Sequence, residues 1–171
     1  MHDRKMFHLP EQFQNTAFFD EESVYLHPTD FFYYDLQYLA GMDDTRPWEA
    51  SEQFLPKLFK QWKEIQTEIQ RTITKPFKTD RQNMMTGICL YIQLLYWLNE
   101  KPVHSLHLDE IKKLDIAPVN IEDRLTFILK KPTQYHAYIQ LNELFTETEK
   151  LFYKHQAIKK AKQKGASKNS G

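Results

Sequence analysis

Glycine and valine are scarce in this sequence, with four glycines and three valines among 171 residues. A sheet protein needs glycine-bearing turns and β-branched strands, so the shortage excludes an extensive sheet. It favours helices joined at proline-marked corners. A single cysteine, Cys89, permits no internal disulfide, and its place inside an apolar stretch predicts a buried, inert thiol. That stretch, Ile88 to Leu98, is the longest apolar run; it is about half of what a bilayer span requires, and it contains Gln93. Met1 to Leu9 carries Asp3, Arg4, Lys5 and two histidines with no apolar core. No signal peptide is read there, and a cytoplasmic location is expected.

The motifs of common chemistry are missing as well. There is no Gly-x-Gly or Walker pattern to cradle phosphates, and no Gly-x-Ser-x-Gly elbow. His104 and His107 stand three apart with Asp109 and Glu110 just beyond, but no third histidine follows at ligand spacing, so a solvated pair is expected and no metal. Cys89 has no neighbouring positive group in sequence to lower its pKa. The carboxylates follow the pattern of solvated helix faces, with no pair forced together for acid–base work. No catalytic residue and no cofactor is therefore expected.

What the chain does have is an ordinary apolar content of 41% and a high aromatic content of 14%, enough to exclude wholesale disorder and to close a small core with bulky rings. Its length allows one domain. Net charge is zero, yet seven lysines and no acid follow Glu149, leaving the preceding residues with a balance of −7. An acidic body thus carries a basic tail.

The first 46 residues hold ten of the 24 aromatics, including Phe31, Phe32, Tyr33 and Tyr34, but five aliphatics. They read as an irregular arm pinned by its rings, with one short helix from Thr29 through Phe32, Leu36 and Leu39, ended by Gly41. Next, Pro56 suits a first helical turn, and Leu58, Phe59, Trp62, Ile65, Ile69 and Ile73 form one apolar stripe, stopped at Lys75-Pro76. A helix opening at Thr79, with Gln82 as its capping-box partner, is apolar almost all round between Met84 and Leu98, the pattern of a central helix. Asn99 is read as its left-handed terminator. A connector follows, with one short helix near Asp109 to Leu114. Asn120 caps a helix whose core face is Ile121, Leu125, Ile128 and Leu129. After Pro132, with Thr133 as its cap, a last helix turns Tyr138, Leu141, Leu144, Phe145, Thr148 and Phe152 inward. It is expected to fray beyond Ile158, with Gly165 to Gly171 disordered.

The fold class expected is all-α: an irregular bundle of four to six helices. Its divisions are an aromatic-rich arm at 1–46, a helical domain at 47–153 and a lysine-rich flexible tail at 154–171. Two surfaces are candidates for function. Trp97, Arg124, Tyr135 and His136 are the candidate contacts for a protein partner, the last two lying at a helix start where backbone N–H groups favour anions; their ordinary fate is corner packing. Lys154, Lys159, Lys160, Lys162 and Lys164 can meet nucleic-acid phosphates without reading bases, though a lysine tail serves more commonly for solubility.

Leu95-Tyr96-Trp97-Leu98-Asn99-Glu100-Lys101-Pro102-Val103, Ile116 to Leu125 and Pro132 to Leu141 together resemble the YpoC family of small bacterial proteins. The likeness covers roughly residues 47–153 and leaves out the arm and the tail. It implies a Bacillus-type source and a cytoplasmic protein, and supplies no reaction, since no catalytic motif carries over. The expectation is a non-enzymatic interaction module that meets a protein partner through its helical body and has no membrane partner. The alternative is a weak, non-sequence-specific nucleic-acid binder acting through the lysines.

Overall fold

The computed structural model describes residues 3–42, 45–73 and 78–169. Six α-helices are present among them: α1 (Tyr33–Leu39), α2 (Ser51–Thr72), α3 (Arg81–Leu98), α4 (Leu108–Ile111), α5 (Ile121–Lys130) and α6 (Tyr135–Asn169). The fold is mostly helical, but the all-α expectation needs correcting. Strands β1 (Lys5–His8) and β2 (Ser23–Leu26) form an antiparallel hairpin in which Met6 pairs with Tyr25 and Phe7 with Val24. Alternation turns Phe7 into the core and leaves Met6 and Tyr25 exposed on the other side. Four-residue strands are too short to stand out as a two-residue period.

α3 is the central helix, as its all-round apolarity requires: every residue from Leu90 to Leu98 is buried. Its cap is Asp80 and not Thr79, the carboxylate accepting from Gln82 N and Asn83 N. Thr79 is used elsewhere; its N–H donates to Thr133 O at 2.8 Å and so joins the start of α3 to the α5–α6 corner. Thr133, read as the cap of α6, stands one residue too early: the helix opens at Tyr135, directly after Gln134. At the other end of α3 the left-handed residue is Glu100 (φ 57°), one later than expected. Asn99 instead holds the connector, donating to Leu95 O and Ile116 O and accepting from Ile116 N.

α2 lies beside α3 and buries Leu55, Leu58, Phe59, Trp62 and Ile69. It starts at Ser51, so Pro56 sits inside the helix, where its missing N–H spares only the carbonyl of exposed Glu52. The expected stop at Lys75-Pro76 lies outside the described residues. The Trp62 ring stacks on Phe145 of α6 at 4.2 Å and 6°, and Gly87 of α3 lies beneath it. All six residues assigned to the inner face of α6 are buried. Asn120 precedes α5 in the left-handed conformation (φ 59°) and makes no side-chain cap bond.

The two ends complete the fold, and only the C-terminal one departs from expectation. The arm packs on its own body: Phe32 N donates to Gln93 Oε1, Leu106 N to Gln12 O, and Ser105 Oγ to Gln12 Oε1. And α6 does not fray after Ile158 but runs on to Asn169, about 52 Å in all. Lysine, alanine and glutamine are good helix formers, and cations near a helix C-terminus complement its dipole, so propensity carries the helix where the apolar stripe ends.

Candidate functional site

The arm and the first half of α3 meet along a seam that does not close. Phe18, Phe19, Phe31 and Leu26 from the arm face Met85 and Cys89 of α3 across a cavity of about 410 Å³. The arm's rings are held in place by one another: Phe32, buried, meets Phe13 and Phe19 edge-on at 6.2 Å. Residues Met85 and Cys89 reach the cavity because they lie one helical turn apart on the face of α3 that the arm covers. Two charges flank its mouth. Asp30 accepts from His27 N at 2.8 Å, whereas Arg81 has no hydrogen-bond or ion-pair partner among the described residues. Burial pushes the Cys89 thiol up to about 12, so it is a neutral wall rather than a nucleophile. The volume falls in the range of small-ligand sites, and the chemistry is that of an apolar slot with a cation at its lip.

The four residues expected to meet a partner are not brought together as one surface. Trp97 is 4% exposed; its Nε1 donates to Asp35 Oδ1 at 3.0 Å, and its carbonyl accepts from Ser51 Oγ. It is a core residue. Arg124 makes a two-pronged ion pair with Glu147 at 2.9 and 2.8 Å, and its Nε donates to Gln140 Oε1. The guanidinium is thus engaged in joining α5 to α6. Tyr135 packs at 5.9 Å against Tyr138 and is half-buried, while His136 is exposed. The aromatic density of the arm is legible in the sequence, whereas the place of Phe18, Phe19 and Phe31 at a site is not; the excess of rings over aliphatics before residue 46 is the available signal.

The lysines are distributed unevenly around α6. Lys154, Lys160, Lys162 and Lys164 are exposed, and Lys159 Nζ donates to Glu100 Oε1 at the end of α3. Of the two histidines tested for metal binding, His104 stands edge-on to Tyr96 at 5.0 Å, and desolvation lowers its pKa. Among the described residues no group of three or more His, Cys, Asp or Glu side chains is placed to hold a metal ion, and no helix is long and apolar enough to cross a membrane.

These features define a small, mostly helical protein, built around a central apolar helix and closed on one side by an aromatic arm. The chain belongs to the YpoC-like protein family, whose model matches residues 52–160. It is 40% identical over 115 residues to the uncharacterized protein YpoC of Bacillus subtilis (strain 168), an alignment that covers 66% of this chain and 70% of that protein. No solved structure matches. Arg81, Met85 and Cys89 lie inside the family span, whereas the arm's half of the cavity precedes it.

Proposed function

We propose that this protein is a non-enzymatic interaction module of the bacterial cytoplasm, and that its contact surface is the slot between arm and α3. The observation that carries this reading is an apolar cavity of about 410 Å³ with Arg81 at its lip, a guanidinium with no hydrogen-bond or ion-pair partner among the described residues. An open apolar surface rimmed by charge is the usual form of a recognition site, and its volume suits one or two large side chains. Charge complementarity selects the partner: a protein segment that places a large apolar side chain in the slot and a carboxylate within reach of Arg81. Trp97 and Arg124 then serve the fold, and Tyr135 and His136 lie outside the contact.

Selection from a displayed random-peptide library tests this directly. Peptides retained by the wild-type chain are expected to carry an aromatic or aliphatic residue within a few positions of Asp or Glu. They should be lost on Met85→Glu, which fills the slot with charge, and weakened on Arg81→Glu. A library yielding no common motif, or a motif held equally by both variants, would sink the reading.

A further inference from the structure

The tail lysines are not a disordered polycation, because α6 is continuous through Asn169 and fixes where each residue lies around its axis. At 100° per residue, Lys150, Lys154, Lys160 and Lys164 fall within about a third of the circumference. This arc is opposite the one that buries Leu141, Phe145, Thr148 and Phe152 against the body. All four lysines are exposed; Ala157 and Ala161 lie between them along the middle of the stripe, and exposed Tyr153 lies within the same arc. Lys159 lies on the inner side, where its ammonium is taken up by Glu100, and Lys162 lies on a flank. Lys160 marks the edge of the stripe and shares a cleft with Glu52. From Lys150 to Lys164 the row is about 21 Å long, enough to run past several consecutive phosphates of one strand.

We infer that this outward stripe of α6 is a binding surface for the phosphodiester backbone of nucleic acid. It is independent of the slot between arm and α3. The stripe holds no arginine, and its one exposed ring, Tyr153, stands beside Lys154 near the edge of the arc, so its lysines act as point charges that position a backbone and read no bases. The rest of the chain is acidic overall, so contact is confined to the projecting helix and the strand does not wrap the body. An anionic membrane is the less suited partner. A helix lying on a bilayer needs an apolar face opposite its lysines, and beyond Ile158 only alanines are available.

The test compares two full-length variants of equal charge: Lys154→Gln/Lys164→Gln on the stripe and Lys159→Gln/Lys162→Gln off it. Binding to labelled single-stranded and duplex oligonucleotides is measured by anisotropy between about 50 and 200 mM salt. Circular dichroism confirms that both variants remain helical. The wild type should bind weakly, with the logarithm of affinity falling steeply against the logarithm of salt. The stripe variant should lose about tenfold in affinity at the lower salt, its slope shrinking by roughly 0.7–0.9 per lysine removed. The off-stripe variant should stay within about threefold of wild type. Equal loss in both variants would reduce the helix to an unpatterned cation and overturn the assignment, as would absence of wild-type binding at the lower salt. Tighter, stripe-dependent binding to phosphatidylserine vesicles than to either oligonucleotide would transfer the surface to membranes and reject nucleic acid.

Discussion

Trp97 Nε1 on α3 donates to Asp35 Oδ1 on α1 at 3.0 Å, a bond that crosses 62 residues of chain. The same oxygen accepts from Val103 N at 2.5 Å, so one carboxylate fastens the arm both to the central helix and to the connector beyond it. Asp35 is fully buried, its other oxygen has no hydrogen-bond partner, and no cation faces it in an ion pair among the described residues.

Desolvation raises the Asp35 pKa from 3.8 to about 6, with the bonds from Trp97 and Val103 opposing the rise. A raised carboxylate pKa means that the folded chain holds the proton more tightly than the unfolded one. This group's favourable contribution is therefore complete below pH 3.8 and is lost as pH climbs through about 6. The loss is on the order of 3 kcal/mol in total, of which about 1 kcal/mol falls between pH 5 and 7. Urea unfolding at those two pH values should show this decline in wild type, superimposed on the other groups, and a flatter profile in Asp35→Asn. Parallel profiles would mean that Asp35 ionises normally.

Gly87 lies where a Cβ would approach Trp62 Cζ3 to 2.8 Å and Leu141 Cδ2 to 3.2 Å. The Trp62 ring is backed by its stack on Phe145, and its Nε1 donates to Asn142, so it has little room to retreat. Gly87→Ala gains up to about 1 kcal/mol of helix propensity and loses about 1–3 kcal/mol to overpacking. Net destabilisation is expected, read as a lower urea midpoint with an unchanged slope. A stabilised variant would show that α2 and α6 can move apart at no cost.

What was legible in the sequence follows from range. The α3 stripe and the inner face of α6 are carried by neighbours three and four residues apart, and both stand in the structure as read. Asp35 was invisible because its partners, Trp97 and Val103, are distant in sequence, and a lone acid in a polar-aromatic segment reads as solvated. Arg124 looked available for the same reason: Glu147, which occupies it, is on another helix. The slot needs the arm laid against α3, a juxtaposition that no local period encodes. The continuation of α6 leaves no apolar stripe in the sequence, because lysine and alanine propensity and not burial extends the helix.

The Arg124–Glu147 pair joins α5 to α6 with both prongs in hydrogen-bond range. Hydrogen bonding to Arg124 lowers the Glu147 pKa and outweighs desolvation. A depressed carboxylate pKa gives stability that is present above the unfolded value, near 4.5, and vanishes as pH falls through the folded one. Glu147 is 44% exposed, so solvent limits the contribution to about 1 kcal/mol or less. Glu147→Gln should therefore lower the urea midpoint slightly at pH 7, with a deficit that shrinks as pH falls below 4.5, whereas a deficit of constant size across that range would assign the loss to packing.

Cys89 borders the slot, so a small reagent has a path toward it, and its protection rests on the state of the sulfur. Only the thiolate attacks, and burial holds the thiol protonated up to about 12 against an ordinary 9.0. At pH 8 that difference leaves roughly a thousandfold fewer thiolates than an unperturbed cysteine would have. Alkylation of the folded chain should be slower than that of the urea-unfolded chain by about that factor. Its rate should still rise about tenfold per pH unit at pH 10, where the unfolded chain has already levelled off. Removing a wall of the slot with Phe31→Ala admits water to the sulfur and should shift the folded profile toward the unfolded one. Phe127→Ala, on an exposed position of α5, should leave it in place. A folded profile that plateaus near pH 9 would show the thiol already hydrated and the slot filled with water.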